Sequence, residues 1–214
     1  MSAAAARRRT IAVKAVIWVA CLSPALWLGF SALAHSLGAN PIERITHRTG
    51  WWALFLLTAT LAITPLRRLT GRSGWVRYRR LIGLFAFFYG TLHFLTYLVL
   101  DQFFGWTYIL EDITERPFIT LGFLTWLILF ALAVTSTRGW IRRLRRNWQR
   151  LHRLIYGAAL AGGLHFLWKV KADTREPLVF LSVIVALLLV RVWARWRRVK
   201  DGRSGGAATA RRAA

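Results

Sequence analysis

Long apolar runs alternate with short charged segments along the whole chain. Each run is close to the roughly 20 residues with which a helix crosses about 30 Å of hydrocarbon. The pattern therefore predicts an all-α integral membrane protein, a bundle of six transmembrane helices. Residues 1–200 would form a single domain, followed by a low-complexity, disordered cytoplasmic tail at 201–214. The six predicted spans are 10–33, 49–65, 81–100, 118–135, 151–168 and 178–193.

The charges that separate the spans differ between the two sides. The chain has 31 Lys and Arg against 8 Asp and Glu, and 25 of the 31 lie in the N-terminal segment, in loops 67–80 and 138–153, and from 191 onwards. Seven of the eight acids lie in the other loops. By the positive-inside rule, both termini are cytoplasmic. No groove-reading motif accompanies the arginines, so we interpret them as topology signals that face anionic lipid, and not as a nucleic-acid interface.

Prolines and the lone cysteine refine this picture. Pro24 is expected to kink the first span, and Pro65 to end the second. Cys21 is the only cysteine, which excludes an intramolecular disulfide, a cysteine-based zinc site and an iron–sulfur cluster. Any cofactor must therefore be held by histidine, carboxylate or backbone groups.

Two histidines lie at one predicted depth on neighbouring outward-running spans. His93 is 13 residues past Arg80 and His165 is 12 residues past Arg153. At about 1.5 Å per residue, they lie roughly 20 and 18 Å from the cytoplasmic edge. The remaining outer-side histidines, His35 and His47, fall in the first outside loop region.

The level pair is the arrangement that a six-coordinate haem requires, with one axial nitrogen from the third span and one from the fifth. Small residues before both histidines, such as Gly90 and Gly162, would let a flat ring approach the backbone. Two alternatives remain. Hydrogen-bonded core histidines need no cofactor, and a transporter or proton channel also uses intramembrane histidine, although this chain has no acid well inside a span.

His152 precedes His165 by 13 residues and lies roughly 20 Å nearer the cytoplasm. It is too distant to share one iron with His165. It would serve a second, inner haem or another cytoplasmic-side cofactor, or it would be an interfacial residue that contacts headgroups or a haem carboxylate.

Five segments carry a family resemblance. Together they resemble the MsrQ (YedZ) family of haem-binding membrane subunits and, more distantly, the transmembrane domains of ferric reductases and NADPH oxidases. The segments are NPIERITHRTGWWAL (40–54), ITPLRRL (63–69), RRLIGLFAFFYGTLHFLTY (79–97), ITERPFITLGFLTWLILFALAVTST (113–137) and WQRLHRLIYGAALAGGLHFLW (148–168).

The resemblance implies a ferric reductase-like transmembrane domain over 1–200, with His93 and His165 as haem iron ligands and His152 as a further haem-associated histidine. It implies one or two b haems and a use of FMN. Oxidase relatives place two histidines on each of two helices, and this chain departs from that pattern. No dinucleotide-binding motif is present. Any FMN would have to sit at a cytoplasmic loop such as 67–80.

The function implied is electron supply in the inner membrane of a bacterium. Electrons from the quinone pool or a cytoplasmic flavin donor would reach a periplasmic, MsrP-like molybdopterin reductase subunit that repairs methionine sulfoxide. The chain would be an electron-transfer subunit of an oxidoreductase, without a catalytic site of its own. The alternatives are a stand-alone ferric or quinone reductase, or a transporter or proton channel.

Overall fold

The computed structural model describes residues 2–71 and 73–213, with the side chains at 3, 73 and 198–213 left out. Every regular element in the described part of the chain is helical. The elements are α1 (Ala3–Leu33), α2 (Pro41–Thr70), a 3₁₀ helix (Ser73–Tyr78), α3 (Arg79–Leu95), a π-helical extension of α3 (Thr96–Asp101), α4 (Trp106–Glu115), α5 (Pro117–Val134), α6 (Arg138–Leu144), α7 (Arg146–Leu151), α8 (Leu154–Lys169) and α9 (Arg175–Ala213).

Five of the described helical segments are long and apolar enough to cross a membrane: Ala4–Leu33, Pro41–Thr70, Gly74–Asp101, Pro117–Val134 and Arg175–Arg197. They match five of the six predicted spans. The predicted fifth span is α8, which has 16 residues and is shorter than these. The count of six crossings therefore stays a prediction. So does the tail boundary at 200, because α9 continues to Ala213 while the side chains beyond 197 lie outside the described residues.

The bundle is built around α2, which packs along α3, while α5 packs along α8 and α9 closes the far side. Ala158 and Ala159 of α8 are fully buried, and a Cβ on Gly163 would lie 3.1 Å from Leu181 of α9. These small residues bring α8 and α9 close together. Helix α1 lies at the edge, with large apolar side chains exposed along it, as suits a helix that faces lipid.

The prediction that Pro65 ends the second span is wrong, because α2 continues past it to Thr70 and ends at Gly71 in the left-handed conformation. Proline lacks the N–H that would bond to the carbonyl four residues earlier, here that of Leu61. Arg191 of α9 replaces that donor: its Nη2 lies 2.5 Å from the Leu61 oxygen. Membrane helices tolerate proline where a neighbouring group satisfies the freed carbonyl in this way.

Tyr89 of α3 joins α1 to the bundle near Pro24. Its hydroxyl accepts from the backbone N–H of Ala25 at 3.1 Å and donates to the carbonyl of Cys21 at 2.7 Å. Ala25 and Cys21 are four residues apart, so the hydroxyl is inserted into what would be a turn of regular helix. Pro24 does lie inside α1, as predicted, and the buried tyrosine stabilises the altered turn.

Candidate functional site

The two level histidines of the sequence face each other in the structure. His93 comes from the last turn of α3 and His165 from the last turns of α8. Their ring centroids are 6.0 Å apart and their planes cross at 81°. The bundle therefore brings together the two residues that the depth analysis paired.

Both rings are fixed by the same kind of hydrogen bond. Nδ1 of His93 lies 2.9 Å from the carbonyl oxygen of Thr46 in α2, and Nδ1 of His165 lies 2.7 Å from that of Phe118 in α5. A carbonyl oxygen only accepts, so Nδ1 must carry the proton in both rings. In a neutral imidazole this leaves Nε2 with a free lone pair, which is the state that a metal ligand requires.

The separation of the rings suits one metal ion between them. Metal–imidazole bonds of about 2 Å on each side would leave about 4 Å between the two Nε2 atoms. Adding the distance from each nitrogen to its ring centre accounts for a centroid separation near the observed 6.0 Å. No group of three or more His, Cys, Asp or Glu that could hold a metal exists among the described residues. A haem needs only two protein ligands, because the porphyrin supplies the other four nitrogens.

A cavity of about 560 Å³ surrounds the pair, within the range of small-molecule and cofactor sites. Its lining comes from α2, α3, α4, α5 and α8, and is almost entirely apolar. Flat surfaces are supplied by aromatic side chains and by glycines. The lining residues that matter most here are Gly50, Leu54, Gly90, Trp126, Leu129 and Gly162.

Helix α4 contributes one face of this cavity. Ile109 and Ile113, four residues apart and so on one face of the helix, line the cavity. Asp112 is buried and accepts hydrogen bonds from Tyr97 at 2.8 Å and Gln102 at 3.1 Å. These bonds attach α4 to the end of the α3 extension, so the cavity wall is held in place by a buried carboxylate.

Two basic residues also line the cavity. His47 of α2 and Lys169, the last residue of α8, are both exposed, and none of the described lining residues is acidic. The sequence analysis left His47 in a loop and gave Lys169 no role. Basic side chains at the rim of an apolar cavity match a flat, apolar cofactor that carries carboxylates on one edge, as haem does.

His152 lies in a different environment. It occupies the turn between α7 and α8, where its ring stacks on Trp148 at 4.0 Å between centroids. Its Nε2 is 3.1 Å from the hydroxyl of Thr135, and that hydroxyl donates to the carbonyl of Ala131 at 2.6 Å. The hydroxyl must then accept from Nε2–H. His152 is not a lining residue of the cavity, and its predicted haem association stays a prediction.

Two glycines at the site were missed by the sequence analysis. Gly50 of α2 lies under the ring of His93, and Gly122 of α5 lies under the ring of His165. The sequence contains a signal for them. Each hydrogen-bonded carbonyl precedes its histidine by 47 residues, and each glycine follows that carbonyl residue by four.

Comparison with known proteins gives the same answer as the geometry. The model of the family "Ferric reductase like transmembrane component" matches residues 49–163, a range that contains His93 and ends two residues before His165. Relatives named "Protein-methionine-sulfoxide reductase heme-binding subunit MsrQ" align over most of the chain. The relative from Xanthomonas campestris pv. campestris (strain 8004) is 51% identical over 86% of this chain and 88% of its own length.

The relative from Xanthomonas axonopodis pv. citri (strain 306) is 49% identical over 86% of this chain and 88% of its own. The one from Rhodospirillum rubrum is 49% identical over 88% of this chain and 91% of its own. Identity at this level, over nearly the whole length, confirms the resemblance found in the sequence. The chain belongs to the MsrQ family, whose relatives are named heme-binding subunits of protein-methionine-sulfoxide reductase, within the ferric reductase-like transmembrane proteins.

Proposed function

We propose that the chain is the haem b subunit of a methionine sulfoxide reductase system, and that it carries electrons across the inner membrane to a periplasmic MsrP-like molybdopterin reductase subunit. The donor would be the quinone pool or a cytoplasmic flavin reductase. One observation carries the haem assignment: two facing imidazoles, 6.0 Å apart, each with Nδ1 bonded to a carbonyl.

The residues present fit a haem in three respects. His93 and His165 would hold its iron through Nε2. The apolar lining would exclude water from both faces of the ring, and His47 and Lys169 would pair with its carboxylates. Bound there, a haem would supply reversible one-electron chemistry.

The protein's own contribution is to fix the ligands. Each carbonyl acceptor holds one proton on Nδ1, which sets the tautomer and raises the basicity of Nε2. The rings therefore need no rearrangement when the iron changes charge. Rigid ligation in an apolar cavity is what fast electron transfer needs, and it does not suit a proton channel, whose histidines must gain and lose protons along a wet path.

The membrane arrangement is also part of the proposal. The charge asymmetry supports six crossings with both termini in the cytoplasm, which puts the histidine pair in the outer half of the bilayer. A fluorescent protein that matures only in the cytoplasm, fused after residue 214, is expected to fluoresce. A dark fusion with an active periplasmic reporter at the same position would contradict this topology.

An FMN remains a prediction without an assigned site. Loop 67–80 contains six arginines, and one of them, Arg77, donates to Thr10 of α1 at 2.8 Å. The others serve equally well as topology signals. Flavin released by acid from the purified protein would decide whether FMN is bound, and a ratio near zero would remove it from the account.

The test of the haem assignment is the visible spectrum of the purified protein, oxidised and then reduced with dithionite. A Soret band that shifts on reduction, with a sharp α-band, is expected. A colourless protein after expression with ample haem would overturn the proposal and favour a transporter or channel.

The partner is tested by reconstitution with a soluble periplasmic reductase. If the reduced protein is not oxidised by that partner in the presence of methionine sulfoxide, a stand-alone ferric or quinone reductase is the better description.

A further inference from the structure

Each imidazole of the pair lies directly against the backbone of a neighbouring helix, and each does so at a glycine. A Cβ built on Gly50 would lie 3.0 Å from Cε1 and Nδ1 of His93. A Cβ built on Gly122 would lie 2.8 Å from the same two atoms of His165. Other residues at these positions would therefore overlap the rings or press on them.

The two contacts repeat one arrangement. In each, the glycine follows the hydrogen-bonded carbonyl residue by four positions, so it lies one helical turn along the same face. The ring is thus held at its Nδ1 edge by the carbonyl and on its face by the glycine. Helices α2 and α3 form one such unit, and helices α5 and α8 form the other.

We propose that Gly50 and Gly122 are positioning residues that set the planes of the two iron-ligating imidazoles and hold them crossed at 81°. The inference rests on the proposed haem function and adds to it. Neither glycine ligates anything. Each acts through the histidine that lies on it, and together they fix where both Nε2 atoms point.

The physical reason is that a ring confined on two sides has one way to move. With Nδ1 bound to the carbonyl, an added methyl group pushes the ring away from the helix and rotates Nε2 off the line between the two rings. The contact at Gly122 is the shorter one, so a methyl group there should disturb His165 more than one at Gly50 disturbs His93.

The spectroscopic consequence follows from the crossed planes. In a low-spin ferric haem, two axial imidazoles in parallel planes split the iron d orbitals and give a rhombic electron paramagnetic resonance (EPR) spectrum. Crossed planes leave two of those orbitals nearly equal in energy and give a strongly anisotropic spectrum with a large maximum g value. The wild-type protein is therefore expected to show the anisotropic form.

The experiment compares Gly50→Ala and Gly122→Ala with two matched controls, Gly83→Ala and Gly157→Ala. The control glycines lie earlier in the same two histidine-bearing helices and do not line the cavity. A Cβ at Gly83 meets only Thr60, at 3.6 Å, and one at Gly157 meets nothing within 4 Å. Gly90 and Gly162 are unsuitable as controls, because they line the cavity.

For each full-length variant, haem per protein, the ferric EPR spectrum and the melting temperature in detergent are measured. Gly122→Ala is expected to retain haem on the order of 10-fold less tightly, as for loss of a ligand-orienting contact. Gly50→Ala is expected to keep its haem with a changed maximum g value or a high-spin signal. The melting temperatures of both variants should fall no further below that of the wild type than the melting temperatures of the control variants do. The reason is that alanine favours helix over glycine.

Three results would overturn the inference while leaving the haem function intact. One is a wild-type spectrum of the rhombic, parallel-plane type. The second is an unchanged spectrum and unchanged haem retention in both Gly50→Ala and Gly122→Ala. The third is the same change in the control variants. If Gly122→Ala fails to accumulate, the wild-type spectrum and the milder Gly50→Ala decide the question. A colourless wild-type protein would instead overturn the proposed function.

Discussion

Helix α8 has one histidine near its C-terminal end, and a second histidine lies in the turn that precedes the helix; the two are hydrogen-bonded in opposite ways. Near the C-terminal end of α8, His165 donates a hydrogen bond from Nδ1–H to a carbonyl, which leaves the lone pair on Nε2, and its ring centroid lies 6.0 Å from that of His93. In the turn before α8, His152 donates from Nε2–H to Thr135 and stacks on Trp148. An intramembrane or interfacial histidine is therefore not a ligand by position alone. The tautomer that its neighbours impose decides whether a ligating nitrogen is available.

The largest expected effect is that of removing either histidine of the His93–His165 pair. His93→Ala and His165→Ala should each remove most of the haem, because one remaining imidazole cannot hold a six-coordinate iron. Haem per protein, measured by the pyridine haemochrome method, checks this. The control is His35→Ala, since His35 is exposed in the loop after α1 and should keep its haem. If His35→Ala alone bleached the protein, the pairing of His93 with His165 would be wrong.

The next largest effect is expected from Arg191, which joins α9 to α2. Its Nη1 donates to the Tyr156 hydroxyl at 3.0 Å and its Nη2 to the carbonyl of Leu61 that Pro65 leaves free. Arg191→Met should lower the free energy of unfolding by about 1–3 kcal/mol, because a buried carbonyl loses its donor. Arg195→Met, at an exposed position of the same helix, is the control.

The measurement is thermal unfolding in detergent with the visible spectrum recorded in parallel. The wild-type optical and EPR spectra should persist in Arg191→Met below the melting temperature, since Arg191 does not line the cavity around the histidine pair. A shifted Soret band at low temperature would show instead that Arg191 is coupled to that pair. A melting temperature equal to that of Arg195→Met would contradict the role given to Arg191.

A smaller effect is expected from His152. His152→Ala removes one hydrogen bond and one aromatic stack, and should cost about 1 kcal/mol of stability. The EPR component of the His93–His165 haem should not change. Thr135→Val, which removes the same hydrogen bond but keeps the stack on Trp148, should lower the stability less and leave the spectrum equally unchanged. Loss of a distinct second haem signal in His152→Ala but not in Thr135→Val would show that His152 also ligates iron.

Much of this site follows from the sequence, for identifiable reasons. Helical rise needs only spacing, and with the charge pattern it places His93 beside His165, as they lie in the structure. Gly50 and Gly122 could not be chosen in the same way, because their roles depend on how α2 and α5 rotate about their own axes. That rotation is set by packing against several helices at once.

The error at Pro65 has a related cause. The local rule that proline stops a helix assumes that no other protein group donates a hydrogen bond to the carbonyl that proline leaves without its usual donor. Arg191, 130 residues away in sequence, supplies the missing donor. A tertiary contact of that kind cannot be predicted from the residues next to the proline. The contact also shows that a basic residue counted as a topology signal can have a structural partner.

The smallest expected effect concerns the rim of the cavity around His93 and His165. Lys169 is a positive charge that lines the cavity, and a positive charge favours the ferrous haem, which has one charge less than the ferric form. Lys169→Ala should therefore lower the midpoint potential, by about 20–60 mV, since about 59 mV corresponds to a tenfold change in a one-electron equilibrium.

The control is Lys171→Ala. Lys171 is exposed two residues further along the chain and does not line the cavity, so its replacement should shift the potential less. Spectroelectrochemical titration at two ionic strengths separates the two variants, because the surface charge of Lys171 is screened by salt more strongly than one at the cavity rim. An equal shift in both variants would mean that Lys169 acts only through the general surface potential, and that the basic side chains at the rim do not contact the haem carboxylates.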